Sequence, residues 1–210
     1  MFKETFGDKV VLIERPSTDT DDFSIELSRL QESGADVAMQ VFSGDQGIIF
    51  AQQWADRQIP VILTGYNVQG QSGEFWNQTG GKAQGLITWK HGVRSDITEK
   101  TVPYWDGFVD KYDRIPGPYT GLNTYDAVVI LAQAIEEADS LDSETLVETL
   151  ESGSFTGAGG IIEFNERHGI NVGEELVPFT YIQWQDGEQV TIWPNSLATG
   201  EAVSPPWMED

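Results

Sequence analysis

The sequence contains no cysteine and few basic residues. Without cysteine, neither disulfide bonds nor thiolate metal sites can form. Twelve lysine and arginine residues stand against 34 aspartate and glutamate residues, which gives a formal net charge of −22. A field of that sign repels nucleic acid and anionic membrane surfaces, so the charge excludes both as partners. No apolar run reaches the roughly 18 residues that a membrane-spanning helix needs.

The acidity belongs to a globular chain rather than to a disordered acidic tail. Hydrophobic residues make up 39% of the sequence and aromatic residues 11%, enough to build a core. The acids are spread along the chain, and only six of the basic residues are lysines. Low lysine beside high aspartate and glutamate is typical of halophilic proteins, and a merely acidic domain is the alternative.

The first residues do not form a secretion signal. The start, MFKE, is charged and lacks the apolar segment of a leader peptide. Taken alone, this start predicts a cytoplasmic protein.

Strands and helices alternate through the first half of the chain. Apolar runs predict strands, and the amphipathic segments between them predict helices. Alternation at this spacing favours right-handed βαβ crossovers and a parallel sheet. The predicted strands are Lys9–Glu14, Val37–Phe42, Pro60–Thr64 and Ala83–Trp89, and the predicted helices between them run from Asp22 to Gly34 and from Gly47 to Gln58.

The second half begins with helices and ends with a hairpin. Asp186-Gly187 separates the last two apolar runs and is a hairpin turn signal. Residues 198–210 carry little signal for ordered structure. The predicted helices are Ser95–Tyr112, Leu122–Ala138 and Ser143–Ser152, the last capped by Ser143, and the predicted strands are Ile161–Phe164, Phe179–Gln185 and Val190–Trp193.

Four segments occur in a characteristic order. Residues 20–36 read TDDFSIELSRLQESGAD, residues 118–132 read PYTGLNTYDAVVILA, residues 155–169 read FTGAGGIIEFNERHG, and residues 181–194 read YIQWQDGEQVTIWP. Together they resemble the periplasmic solute-binding proteins of the branched-chain amino acid (leucine/isoleucine/valine-binding) type. The resemblance covers nearly the whole chain, but family members are much longer, and their N-terminal half is missing here.

The resemblance implies a type I periplasmic-binding α/β fold with a parallel-sheet lobe. Residues 1–91 and 180–194 would form the C-terminal-type lobe, residues 92–179 a remnant of the other lobe, and residues 195–210 a tail. It also implies a non-enzymatic receptor of an ABC importer, with a small-molecule ligand and the permease subunits as partners. Such a receptor is extracellular or anchored on the outer face of the membrane, its leader not being part of this chain.

Ligands of parallel α/β sheets bind beyond the C-terminal ends of the strands. The loops at those ends offer Phe42 and Ser43 after one strand and Tyr66 and Asn67 after the next, and Tyr119 would enter from the other lobe. Aromatic rings, hydroxyls and amides suit a small polar or amino-acid-like solute. In the amino acid binders, an acidic residue at the position of Asn67 pairs with the ligand's ammonium group. A neutral residue there argues against an amino acid ligand.

The sequence offers no catalytic, metal or cofactor site. His91 and His168 lack a second histidine at metal-ligand spacing, and no serine stands in a G-x-S-x-G context. Two other functions stay open: a ligand-sensing regulatory module on the same fold, and a carboxylate-based hydrolase. If the missing half leaves the helix Leu122–Ala138 uncovered, an apolar face with Leu122, Val128, Leu131 and Ala132 would favour a homo-oligomer.

Overall fold

Two parallel strands carry the loops of the predicted site. In the computed structural model, which describes residues 2–208, strand β1 (Val37–Phe42) pairs in parallel with strand β2 (Ile62–Asn67). The register places Val37 beside Ile62 and Phe42 beside Asn67. Both strands therefore end at the same edge of the sheet, and the predicted crossover between them is confirmed.

Helices α2 (Ser24–Glu32) and α3 (Gln46–Asp56) flank β1 in the chain. The N-cap residue of α2 is Phe23, and the carboxylate of Asp22 before it accepts a hydrogen bond from the Ser24 N–H at 2.9 Å. Three aromatic rings form one cluster. The ring centroid of Phe42 in β1 lies 5.8 Å from that of Phe23, which precedes α2, and 5.2 Å from that of Phe50 in α3. The remaining helices are α1 (Phe2–Phe6), α4 (Phe75–Gln78), α5 (Thr101–Tyr112), α6 (Thr120–Ala138) and α7 (Ser143–Ser152).

Three further strands make a second sheet in the order β3–β6–β7. These are β3 (Ile87–Trp89), β6 (Tyr181–Gln185) and β7 (Glu188–Trp193), and the short pair β4 (Phe155–Thr156) and β5 (Ile161–Ile162) is antiparallel. The predicted hairpin between β6 and β7 is present. Asp186 and Gly187 both have positive φ there, at 51° and 93°, as a tight hairpin turn requires.

Several predicted elements differ from the structure. The strand predicted at Lys9–Glu14 is absent, because an apolar run alone does not supply a hydrogen-bonded neighbour. The strand predicted from Ala83 is confined to Ile87–Trp89, and it pairs with β6 rather than extending the β1–β2 ladder. The cap of α7 is Asp142, whose carboxylate accepts from the N–H groups of Glu144 and Thr145, and not Ser143.

The chain divides into two units. The first comprises Met1–Trp89, Gln183–Val190 and Ala202–Asp210, and the second comprises Lys90–Ile182 and Thr191–Glu201. In the second unit, Ile130 and Ala134 of α6 are buried against Phe155, Ile162 and Val177. In the first, the predicted tail contributes Trp207, whose ring lies 4.6 Å from that of the fully buried Trp54. No helix within residues 2–208 is long and apolar enough to cross a membrane.

Candidate functional site

The first unit brings four of the five predicted site residues together. Phe42 ends β1 and Ser43 follows it, while Tyr66 and Asn67 end β2. Phe42 is the direct neighbour of Asn67 across the ladder, and Val41 is the neighbour of Tyr66. The two loops that leave this edge are therefore adjacent, as expected for parallel strands.

Asn67 is fully buried and its side-chain amide is used within the protein. Its Nδ2 donates to the Gly47 carbonyl at 3.0 Å and to Gln40 Oε1 at 3.1 Å, and its Oδ1 accepts from the Gly70 N–H at 3.1 Å. Gly47 has to be glycine here, since a Cβ would lie 2.4 Å from Asn67 Oδ1. The Asn67 amide therefore ties β2 to α3 and fixes the turn after β2.

The other three residues at this edge differ in what they expose. Phe42 is half-buried in the aromatic cluster with Phe23 and Phe50, so its ring has a packing role. Ser43 is exposed, and Tyr66 is half-buried with its ring 5.3 Å from that of Trp89. Of these three residues, Ser43 and Tyr66 thus offer a hydroxyl and a ring to a solute.

A hydrogen bond joins the loop after β1 to the loop after β2, and the sequence alone does not predict it. Gln69 Nε2, after β2, donates to Asp45 Oδ1, after β1, at 3.0 Å. Asp45 is exposed and places a carboxylate at the edge where Asn67 is neutral. In the sequence, this contact is marked only by an acidic residue two positions after Ser43. Because the chain has 34 acidic residues, one such residue does not indicate a site.

Tyr119 belongs to the second unit. It directly precedes α6, is half-buried, and accepts the Asn123 N–H through its carbonyl at 3.1 Å. The predicted apolar face of α6 is only partly exposed, because Leu122 is buried within this unit.

Two buried ionisable groups, Lys90 and Asp126, and the half-buried His91 lie in the second unit. Burial lowers the pKa of Lys90 to about 7, and its Nζ lies 5.1 Å from the centre of the Trp105 ring. Burial also lowers the pKa of His91 and raises the pKa of Asp126, although the N–H groups of Ala158 and Gly159 partly oppose the shift of Asp126. Gly159 packs closely here, since a Cβ would lie 2.9 Å from His91 Nε2. Lys90 and Asp126 are enclosed, which favours a structural role for both.

An open groove of about 550 Å³ runs beside α5 and the start of α6 in the second unit. Its aromatic wall is continuous, with ring centroids of Tyr104 and Tyr125 4.7 Å apart and those of Phe108 and Tyr112 4.6 Å apart. The residues that line the groove are Glu99, Lys100, Pro103, Tyr104, Gly107, Phe108, Lys111, Tyr112, Gly121 and Tyr125. Within residues 2–208, no group of three or more histidine or acidic side chains is placed to hold a metal ion.

Comparison with known proteins identifies relatives over almost the whole chain. Leu/Ile/Val-binding protein homolog 7 of Brucella melitensis is 22% identical over 212 residues, which cover 97% of this chain and 53% of the relative. Homolog 8 of the same organism is 22% identical and covers 91% of this chain and 49% of the relative. The chain therefore spans about half the length of the curated relatives it matches.

Solved structures share the fold. A leucine-binding protein from Thermotoga maritima superposes with a TM-score of 0.69 at 20% identity, over 84% of this chain and 49% of that one. A putative branched-chain amino acid ABC transporter protein from Silicibacter pomeroyi gives a TM-score of 0.73 at 16% identity, over 93% and 53%. The predicted type I periplasmic-binding α/β fold is confirmed over about half the length of these structures.

A family model identifies the family to which the chain belongs. The model of the periplasmic binding protein family covers residues 1–188, well over half of the 210 residues. The chain belongs to the periplasmic binding protein family.

Proposed function

We propose that this chain is part of an extracytoplasmic receptor that binds a small polar or amino-acid-like solute and delivers it to an ABC importer. The observation that carries the proposal is the pair of adjacent loops at the C-terminal edge of β1 and β2, in a family of binding proteins rather than enzymes. Related structures support the solute class, since one is a leucine-binding protein from Thermotoga maritima and another, from R. palustris, is in complex with benzoate.

In this proposal the site residues have different roles. Ser43, which is exposed, and Tyr66, which is half-buried, contact the solute. Asn67 and Phe42 hold the loops in place through their internal hydrogen bonds and ring contacts. Tyr119 lies in the second unit, directly before α6. Asp45 supplies a carboxylate for a ligand ammonium group.

The test is a ligand screen followed by amide NMR. A panel of amino acids, benzoate and short aliphatic carboxylates is added in molar KCl, and stabilisation is measured by thermal unfolding. A ligand at ten times its dissociation constant stabilises the folded chain by about 1.4 kcal/mol. With the ligand that stabilises most, we expect shifts in the amide resonances of Ser43, Asp45 and Tyr66.

Matched variants separate a specific site from surface binding. Tyr66→Ala should weaken binding by up to about tenfold, since an aromatic contact contributes about 0.5–1.5 kcal/mol and about 1.4 kcal/mol is tenfold in affinity. Tyr112→Ala removes an exposed ring of the second unit and should leave the affinity unchanged. If no member of the panel stabilises the chain, or if both variants bind as well as the unchanged chain, the proposal is wrong.

A further inference from the structure

Residues 202–208, which we call the C-terminal strap, pack against the first unit. Trp207 anchors the strap at the turn that connects α3 to β2. Its indole Nε1 donates to the Ile59 carbonyl at 3.0 Å, and its ring lies 4.6 Å from that of Trp54 at an angle of 71°. Trp54 and Ile59 are fully buried, and Trp54 Nε1 donates to the Val61 carbonyl at 2.9 Å. Two indole N–H groups therefore hold main-chain carbonyls of this turn.

A second anchor of the C-terminal strap lies at β6. The side chain of Gln183 accepts from the Val203 N–H and donates to the Val203 carbonyl, both at 2.8 Å. Gly85 permits the close approach of the strap, since its φ is +81° and a Cβ there would lie 3.0 Å from the nitrogen of the buried Pro205. The strap is thus bound at two places and is part of the folded first unit, although its sequence carries little signal for ordered structure.

Two elements connect the turn that Trp207 holds to the candidate site. Helix α3 has Asp45 as its N-cap residue and ends at the turn, and β2 leads from the turn back to Tyr66 and Asn67. At the site, the Asn67 side chain joins the two elements by donating to the Gly47 carbonyl at 3.0 Å. The 11 residues of α3 span about 16 Å, and a helix of this length moves as one body. A displacement of α3 at the turn therefore displaces Asp45 at the site.

We propose that Trp207 is a positioning residue for the candidate site, which acts through α3 on the loop that carries Ser43 and Asp45. The inference rests on the proposed function, because it takes this loop to be part of the solute site. With the C-terminal strap bound, α3 is held at both ends, by Trp207 at its C-terminal end and by Asn67 at its N-terminal end. The loop is thereby preorganised, and less conformational freedom is lost when a solute binds. The family model ends at residue 188, so the strap lies outside the region that defines the family.

A strap that only stabilised the fold would behave differently. Loss of the Trp207 ring would then lower the free energy of unfolding and leave the folded structure at the site unchanged. A positioning strap, in contrast, alters the site within the folded chain. The hydrogen bond from Gln69 Nε2 to Asp45 Oδ1, at 3.0 Å, reports on this, because it joins the loop after β1 to the loop after β2. The Gln69 side-chain amide can be observed by NMR without any ligand.

The experiment compares Trp207→Ala with the unchanged chain under conditions in which both are fully folded. We expect the resonances of the Gln69 side-chain amide to shift towards those of a solvent-exposed glutamine. The Ile48 amide, which donates to the Asp45 carbonyl at 2.9 Å, should exchange at least about tenfold faster, because the start of α3 opens more readily. Trp207→Phe keeps an aromatic ring against Trp54 and should restore most of both signals.

Trp193→Ala is the matched control, because it removes a partly exposed indole of the second unit, and it should change neither signal. If Trp207→Ala does not fold, Trp207→Leu takes its place under the same criteria, since leucine keeps apolar bulk and removes the N–H donor. With the ligand that the panel selects, loss of preorganisation in Trp207→Ala should weaken binding by about tenfold.

The outcomes separate the positioning role from the proposed function. The positioning role is overturned if the Gln69 resonances and the Ile48 exchange rate stay unchanged in Trp207→Ala, whatever the change in Tm. It is also overturned if both signals change and the ligand binds as tightly as before. If both signals change and no ligand of the panel binds either chain, Trp207 positions the loop and the proposed function is wrong.

Discussion

The carboxylate of Asp126 in α6 accepts a hydrogen bond from the main-chain N–H of Gly159 at 2.8 Å. Its other oxygen accepts from the N–H of Ala158 at 2.6 Å. The turn between β4 and β5 thus has two buried donors satisfied by one side chain from a helix 32 residues earlier. Gly157 and Gly159 permit this approach, since a Cβ on either would lie within 3.1 Å of the carboxylate.

Asp126→Ala should therefore destabilise the second unit strongly. The substitution leaves two N–H groups buried without an acceptor, at about 1–3 kcal/mol each. We expect the free energy of unfolding in urea to fall by about 2–4 kcal/mol. Glu136→Ala, at an exposed position of the same helix, is the control and should change stability by less than about 0.5 kcal/mol. Equal losses in both variants would show that the carboxylate does not hold the turn.

This contact also shows what a sequence can and cannot predict. The helix containing Asp126 was predictable because its apolar residues recur at helical spacing over five turns. That Asp126 is buried depends on a loop distant in the sequence, and nothing local in the pattern marks it. The strand at Val37–Phe42 is likewise predicted correctly, whereas the segment Lys9–Glu14 has the apolar run of a buried strand but lacks the neighbour that makes one.

In the candidate site too, one part is predictable from the sequence and another is not. The positions of Phe42, Ser43, Tyr66 and Asn67 at one edge follow from strand order alone. Their orientations do not. The Asn67 amide faces inward because Gly47 leaves room for it and Gln40 accepts from it, and both depend on the register between strands and helices.

Replacing Gln71 by methionine should stabilise the protein. Gln71 is fully buried, and neither its Nε2 nor its Oε1 has a hydrogen-bond partner among residues 2–208. An apolar side chain of similar length removes that desolvation cost, so we expect a gain of about 1–3 kcal/mol in the free energy of unfolding.

Gln183→Met is the matched control for this prediction. Gln183 is equally buried, but its Nε2 donates to the carbonyls of Gly85 and Val203 at 2.8 Å, and its Oε1 accepts from the Val203 N–H. Methionine at this position should destabilise the protein. A loss of stability in both variants would mean that the Gln71 amide is satisfied in solution.

Stability should depend steeply on salt. At −22, repulsion between surface acids opposes the folded state, and the screening length falls from about 10 Å at 0.1 M salt to about 3 Å at 1 M. We expect the Tm to rise continuously from dilute buffer to molar KCl, and the rise to be smaller when Glu136, Glu137 and Glu148 are replaced by glutamine. A Tm that is flat over this range would remove the halophilic interpretation.

Lys90 should make stability depend on pH above neutrality. Burial lowers its pKa to about 7 in the folded chain, against about 10.4 when unfolded, so folding favours the neutral amine. Above about pH 10.4 the amine is neutral in both states, so its burial carries no charge penalty. As the pH falls towards 7, the unfolded chain takes up a proton that the folded chain does not, and the free energy of unfolding falls. Compared with Lys90→Met, the unchanged chain should therefore gain about 2 kcal/mol between pH 7 and pH 9, because one differentially bound proton changes the free energy of unfolding by about 1.36 kcal/mol per pH unit. Urea unfolding at both pH values measures the gain. Lys82→Met is the control, because it removes a partly exposed lysine paired with Asp56, and it should show no such difference. If the stability difference between the unchanged chain and Lys90→Met is the same at both pH values, Lys90 is charged in the folded protein throughout this range.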